Sequence, residues 1–417
     1  MRRYQKEKVS GSTNRATHVE LELDAEQFER MIVDGLQGMA LELGIEVAQS
    51  LMADEVEQRC GRRNQRREKR ETYRYGWQSG FIRIGRQRIG VSKPRVRRIG
   101  GGEIELQTYR RLQQESGEPV MRRLVRGVSC RDYKSVVEAI RRSRGISSSA
   151  VSRSFVEASS EKVRQLAERC FHGTRFVAVL IDGVVFARET VVVALGVTDT
   201  GEKRVLALRH GATENASVCV DLLKDLRDRG VSSEQRMLFV IDGSKALRAA
   251  IRQVWGGQAL VQRCQVHKLR NIQAYVPQKH WPEAKKRIQA AYAEHSYARA
   301  RKSLESTARW LEWINPHAAE SLREGLEETL TVTALGLTGA VRRSFTSTNM
   351  IESIFSRTRM MTCRVKRWRS GAMRQRWCAT ALLHAERGFH RVYGHAQIAA
   401  QLLPKLDAAT TLATQSA

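Results

Sequence analysis

Three carboxylates stand out for the chemistry their positions allow: Asp182, Asp242 and Glu352. The first closes the apolar run Phe176-Val-Ala-Val-Leu-Ile181, and the second closes Met237-Leu-Phe-Val-Ile241. Each is followed at once by glycine, so Ile-Asp-Gly occurs twice, with its aspartates 60 residues apart. Glu352 comes 110 residues later, in Thr348-Asn-Met-Ile-Glu-Ser353. An acid at the end of a buried strand is costly unless it is paired or binds a cation. Two such ends and a third carboxylate make a candidate metal cage. The plainer alternative is a set of capping or salt-bridged acids, with Glu386 as the fallback third member.

Cys264 and His267 form a second constellation, Cys-x-x-His, soon after Asp242. Alone it is half of a zinc site, but no second Cys/His pair follows at suitable spacing, and His280 and His295 are isolated. The seven cysteines are scattered without a Cys-x-x-Cys, which argues against a disulfide framework and for a reducing compartment.

The elements that must position these groups are readable in outline. β-rich runs over 176–181, 190–197 and 204–208, separated by Gly or Asp turns at Gly183 and Asp199-Thr-Gly201, predict an antiparallel meander. A helix over 214–229, a strand over 237–241, a helix after Asp242-Gly-Ser-Lys and a strand over 259–262 follow, which makes a mixed α/β domain. Residues 266–340 are helical in pattern, and helix resumes around Glu352 and continues, strongly basic, to about Val392. Upstream, 131–160 reads as helix, turn at Arg144-Gly145-Ile146, and a second helix capped by Ser147 or Ser148 and carrying Val151, Arg153 and Phe155. That is a helix-turn-helix pattern, shared by any helical hairpin with a Gly turn. The alternating stretch 81–91 predicts a small hairpin closed by Lys93-Pro94. Near the N-terminus, Phe28, Met31, Ile32 and Leu36 recur at helical spacing.

Composition narrows the class. The chain has 417 residues, 41% of them apolar, enough for two or three domains with real cores. Net charge is +28, from 72 Lys and Arg against 44 Asp and Glu. Such an excess repels itself without a polyanionic partner, and nucleic acid is the obvious one. It concentrates between Arg59 and Arg98, with fifteen basic residues to two acids, and between Arg342 and Arg391, with twelve to two. No run approaches the roughly 18 apolar residues of a membrane span. The N-terminus leads into no apolar stretch, so a cytoplasmic protein is expected. No Gly-x-x-x-x-Gly-Lys-Ser/Thr loop is present, so no nucleotide cofactor is expected.

Four motifs in order carry a resemblance: Ile181-Asp-Gly183, Ile241-Asp-Gly-Ser-Lys-Ala246, Arg263-Cys-Gln-Val-His-Lys-Leu-Arg-Asn271 and Ser347-Thr-Asn-Met-Ile-Glu-Ser353. With Arg357, Arg359 and Val365-Lys-Arg-Trp-Arg369, they resemble the mutator-type family of bacterial insertion-sequence transposases, over about residues 60–400. The resemblance implies an α/β RNase H-like catalytic domain interrupted by an all-α insertion. A mainly α basic DNA-binding region, with a helix-turn-helix and a small β hairpin, would precede it.

The implied divisions are an N-terminal helical region (1–58), the basic DNA-binding region (59–170), the catalytic core in two parts (171–265 and 341–400), the insertion (266–340) and a tail (401–417). Asp182, Asp242 and Glu352 become a DDE triad holding two Mg²⁺ or Mn²⁺ ions, for which carboxylate oxygens suit. Two ions would activate water or a 3′-hydroxyl and stabilise the leaving oxygen; the glycines would let a phosphate backbone approach. Cys264 and His267 become a signature near the active site, with a structural histidine as the alternative.

DNA contacts fall to Arg62, Arg63, Arg66, Arg67, Arg70, Ser148 and Arg153 upstream, and to Arg357, Arg359, Lys366, Arg367 and Arg369 around Glu352. In related transposases an aromatic residue of the insertion stacks on a displaced base; Trp310 and Trp313 are the candidates, although tryptophan on a helix is more often core. The implied partners are double-stranded DNA, as terminal inverted repeats and target, and a second copy of the chain to pair two ends. The implied location is the bacterial cytoplasm, at the nucleoid. Two rival functions remain, a transposase-derived DNA-binding protein without catalysis and a metal-dependent nuclease that cuts but does not join.

Overall fold

A long helix and a long hairpin build the first of two units, residues 1–117 with 128–154; the second unit takes 118–127 and 155–417. The computed structural model describes residues 35–62, 71–84, 87–113, 118–130, 143–144, 147–211 and 215–408. Phe28, Met31, Ile32, Arg63, Arg66, Arg67, Arg70 and the first helix of the expected helix-turn-helix lie outside the described residues.

In the first unit, α1 (Gly35–Cys60) places Ala48, Met52, Val56 and Cys60 on one face at helical spacing. They meet Ile82, Ile89, Val91 and Val96 of an antiparallel pair, β1 (Thr72–Ile84) and β2 (Gln87–Arg98). This hairpin is much longer than 81–91, and Lys93-Pro94 does not close it. Pro94 lies inside β2 opposite Trp77, beside a bulge of β1 between Arg74 and Trp77 where Gly76 takes φ 80°. Proline cannot donate to a ladder, so it is tolerated at such an irregularity. β3 (Glu103–Ile104) and β4 (Ser143–Arg144) pair with β2, so Arg144 is a strand residue and not part of a turn. The helix α2 (Gln107–Gln113) belongs to this unit, α3 (Glu118–Val125) to the second, and α4 (Ser148–Ala167) has its first turns in the former and the rest in the latter; Ser147 Oγ accepts the Ala150 N–H at 3.1 Å as its N-cap.

The second unit is mixed α/β. β5 (Phe176–Phe186), β6 (Glu189–Thr198) and β7 (Lys203–His210) form the antiparallel meander. After α5 (Ala216–Asp228), β8 (Met237–Ile241) returns parallel to β5; after α6 (Lys245–Trp255), β9 (Ala259–Arg263) lies parallel to β8. The order across the sheet is β7-β6-β5-β8-β9. Val179, Ile181, Phe239 and Ile241 pack with Leu222, Leu226, Leu247 and Trp255 of α5 and α6. The intervening Ala178, Leu180, Leu238 and Val240 are equally buried, so the sheet is covered on both faces and its strands read as unbroken apolar runs.

One expectation about β5 fails. The strand does not end at Asp182: Gly183 pairs with Val192, and the chain reverses only at Ala187 and Arg188, both at positive φ (51° and 69°). That conformation usually recruits Gly or Asn, so this turn carried no sequence signal.

Helices follow: α7 (Gln265–Gln273), α8 (Trp281–Ala293), α9 (Tyr297–Glu312), α10 (Pro316–Arg323), α11 (Thr331–Ala334) and α12 (Gly339–Phe345). Ile272, Ala284, Ile288, Leu304, Ala308, Leu311 and Leu322 give them a core of their own. The buried Gln262 side chain ties β9 to this block, donating to Thr329 O and accepting the Val332 N–H, each at 2.8 Å. The basic region beyond is two helices, not one: α13 (Asn349–Thr362) and α14 (Gly371–Glu386). Lys366, Arg367 and Arg369 therefore sit on the connecting segment. Among the described residues, no helix is long and apolar enough to cross a membrane.

Candidate active site

Ile181 of β5 is registered against Ile241 at the end of the adjacent parallel strand β8, so Asp182 and Asp242 follow side by side. Asp182 is buried within β5, whereas Asp242 stands just past the end of β8. Asp242 Oδ1 accepts the Ser244 N–H at 3.0 Å, and Ser244 Oγ accepts the Leu247 N–H at 3.2 Å to start α6. Gly243, at φ 106°, has a structural reason of its own to lack a side chain. A Cβ there would lie 2.1 Å from Arg263 Nε. The protein's own guanidinium occupies that space, and it continues to Glu324, donating to its carbonyl at 2.9 Å and its carboxylate at 3.2 Å.

Glu352 enters from the first turn of α13. Arg270 holds it through two donors, at 2.7 and 3.5 Å, and His267 Nε2 lies 3.7 Å from the same carboxylate. Behind them Thr348 joins the two halves of the site. Its N–H and hydroxyl donate to Cys264 Sγ at 3.4 and 3.5 Å, and its hydroxyl lies 3.3 Å from His267 Nδ1. The Cys-x-x-His pair thus clasps the segment before α13.

These contacts set the charge states. Burial pushes the Asp182 carboxyl up to about 6; Asp242 and Glu352 add to the rise, while His267 and Thr348 oppose it. His267 is pushed up to about 9, first by its hydrogen bond with the Cys264 sulfur and then by the charges of Cys264, Asp182 and Asp242. Burial would raise the Cys264 thiol, but hydrogen bonds with His267 and Thr348 outweigh it and hold the thiol below its ordinary value. The Arg270 hydrogen bond keeps Glu352 below the ordinary carboxylate range.

The donors fit a hard divalent cation in kind. The charges of Asp242 and Glu352 help to raise the Asp182 carboxyl, and a cation would relieve that. They do not form a closed cage as they stand: among the described residues, no three His, Cys, Asp or Glu side chains are grouped to hold a metal ion. The Arg270–Glu352 ion pair is the competing interaction, and a cation would have to share Glu352 with it.

Several participants escaped sequence reasoning. Arg270 and Thr348 lie inside the motifs, but their partners are 82 and 84 residues away in the chain, so spacing gave no signal. Lys268 is fully buried, donates to Glu324 O at 2.5 Å, and is pushed down to about 7 by burial and by Arg263. Glu386, the fallback acid, is committed elsewhere: it binds Arg169 through both oxygens at 2.7 and 2.8 Å and accepts the Val205 N–H at 2.7 Å. Of the expected DNA contacts, Ser148, Arg153, Arg357, Arg359, Lys366, Arg367 and Arg369 are exposed, and Arg62 is paired with Glu57 at 3.2 Å. The two tryptophans part company. Trp310 packs on the helical core beneath Arg287, 4.7 Å from its ring, whereas Trp313 is 92% exposed and cannot be core.

A buried aspartate beside a second one on parallel strands, and a glutamate brought in by a late helix, describe a carboxylate-based site in a mixed α/β unit. The sequence model described as "Transposase, Mutator family" matches residues 16–376, and the chain belongs to that family. It is similar to the transposase for insertion sequence element ISRM5 of Rhizobium meliloti (strain 1021), 28% identical across 69% of this chain and 74% of that one. It also resembles the transposase for IS256 in transposon Tn4001 of Staphylococcus aureus, 24% identical across 70% and 75%. The transposase for IS1201 of Lactobacillus helveticus is 32% identical over a shorter stretch, 40% of this chain and 44% of that one.

Proposed function

We propose that this chain is a DNA transposase with an RNase H-like catalytic unit. It binds the terminal inverted repeats of its insertion sequence, exposes 3′-hydroxyls by metal-dependent strand cleavage and joins them to target DNA. The observation that carries this reading is the convergence of Asp182, Asp242 and Glu352 beside His267, in a chain of this family. The antiparallel meander followed by two parallel strands supports the RNase H-like assignment.

Asp182, Asp242 and Glu352 would hold two Mg²⁺ or Mn²⁺ ions. When bound, these activate water or a 3′-hydroxyl and stabilise the leaving oxygen. Asp182 gives up its proton to become a ligand, a loss made easier above about pH 6. His267, carrying a proton at neutral pH, offers its charge to a phosphate oxygen close to the scissile bond. Arg270 orients Glu352 until that carboxylate is recruited. Arg357, Arg359, Lys366, Arg367 and Arg369 position the DNA backbone without reading its sequence. The helix from Ser148, carrying Arg153, is the second helix of a helix-turn-helix reader, and the basic residues of 62–70, earlier in the same upstream region, add phosphate contacts. Trp313 stacks on a displaced base. Pairing two ends requires at least a dimer.

The test incubates the protein with labelled element ends, Mg²⁺ and target DNA, beside Asp182→Asn and Glu352→Gln. The expected result is nicked and joined product from the wild type and neither from the variants. Cleavage persisting in both variants overturns the triad. Nicking without joining from a pre-cleaved end leaves a nuclease, and binding without nicking leaves a DNA-binding protein.

A further inference from the structure

The β1–β2 hairpin carries two arginines in β1 and five Arg or Lys residues in β2, and neither strand contains an acid. One carboxylate faces it from β3: Glu103 takes two donors of Arg95, at 3.1 and 2.6 Å, and lies 4.0 Å from Lys93. Among the described residues the two strands thus set seven cations against this one carboxylate; Arg74 is held by the Gly61 carbonyl at 2.7 Å and Arg83 is also engaged, which leaves Arg88, Arg97 and Arg98 beyond the reach of Glu103's two contacts.

The aromatic side chains point the same way. The guanidinium carbons of Arg97 and Arg95 lie 3.9 and 4.8 Å from the centre of the Tyr75 ring, and Arg88 lies 4.4 Å from that of Phe81. Rings that carry guanidinium groups hold them in place with charge outstanding. Tyr75 is 41% exposed and Trp77 57%, large apolar surface left in water on a strand that could bury it. The hairpin's core contribution is confined to a few aliphatics, and every residue from Tyr75 to Ser79 is exposed. At about 3.3 Å per residue the ribbon is roughly 40 Å long. Its bulge at Gly76 adds right-handed twist. A twisted two-stranded ribbon is one of the two shapes that a DNA major groove admits.

We propose that the β1–β2 hairpin is a duplex-DNA-binding ribbon, in which Arg88 and Arg97 hold phosphates and Tyr75 and Trp77 contact the groove. The inference rests on the reading of the chain as a transposase, and it adds a second DNA-reading element beside the expected helix-turn-helix.

The test measures binding of the full chain to labelled duplex and to single-stranded DNA by fluorescence anisotropy across a salt series. The double variant Arg88→Gln with Arg97→Gln lowers duplex affinity on the order of tenfold near 0.15 M salt and reduces the slope of log K against log salt by about 2. Trp77→Ala weakens binding severalfold with little change in slope. Glu103→Gln frees Arg95 and Lys93 and tightens binding, a gain that misfolding cannot produce. Affinity and slope that stay at wild-type values in the double variant and in Glu103→Gln overturn the ribbon, and tighter binding to single strands than to duplex overturns the groove. Cleavage of labelled ends by the wild type keeps the two readings apart. A wild type that binds no DNA sinks both, while one that binds and cuts beside indifferent ribbon variants sinks this inference alone.

Discussion

The carboxylate site and the β1–β2 ribbon treat charge in opposite ways. At the site, named partners surround each ion: Glu352 has Arg270 and His267, and Arg263 has Glu324. In the ribbon, seven cations share one facing carboxylate among the described residues, and three of their guanidinium groups lie over aromatic rings. The net charge of +28 is therefore two properties. Where charge is buried it is compensated and shifts proton affinities. In the ribbon it outnumbers the one carboxylate described facing it and is available to a polyanion.

The largest effect that probes this contrast comes from Asp182→Asn. In the proposed reaction Asp182 is a metal ligand, and losing one ligand costs several kcal/mol of transition-state stabilisation, so end cleavage should fall by roughly 10³-fold or more. Duplex binding should hardly change. The apo variant should melt no lower than wild type above pH 6, because it no longer buries a charge there. A parallel loss of DNA binding would erase the distinction between the regions.

Next is pH. The folded-state value of Asp182 is raised from 3.8 to about 6, so the stability it contributes is present below pH 4 and lost as pH rises through 6. His267, raised from 6.5 to about 9, repeats that loss as pH climbs from 6.5 through 9. In the proposed site a metal binds only when the Asp182 proton has left, so Mn²⁺ affinity by calorimetry should fall about tenfold per unit below pH 6. DNA binding through the ribbon arginines should stay level over that window, since guanidinium does not titrate there. Parallel pH profiles for metal and DNA would break the comparison.

Gly243→Ala comes third. It puts a Cβ into Arg263 at a backbone angle that disfavours side chains, and should cost about 2 kcal/mol or more by denaturant titration. Wild-type stability would show that Arg263 has room to move away. Trp313→Ala marks the small end: at 92% exposure its melting should shift by less than about 0.5 kcal/mol. A larger loss would make it a structural residue after all.

The parts of this arrangement that were legible in the sequence are those written in local pattern. Ile-Asp-Gly after an apolar run located Asp182 and Asp242, and strand and helix order followed from periodicity and length. What escaped was set by partners remote in the chain. Arg270 is one basic residue among 72 until Glu352 comes against it, and Thr348 becomes a link only when Cys264 and His267 are beside it. Punctuation misled twice, for opposite reasons. Pro94 promised a turn and marks the neighbourhood of a bulge, while Ala187 and Arg188 make a tight turn without the glycine that announces one. The helix break at 363–370 was hidden by uniform basicity, which carries no phase.

The continuation of β5 past Asp182 has a mechanical consequence. Its far end is fastened: Phe186 meets Trp368 edge-on at 5.4 Å, Arg374 donates to the Ala187 carbonyl at 3.1 Å, and the same guanidinium grips Glu189 at 2.6 Å. Lys366, Arg367 and Arg369 flank Trp368 in the chain, so the segment they occupy is splinted to the strand that bears Asp182. Through these contacts the cations and the carboxylate share one strand as their common support.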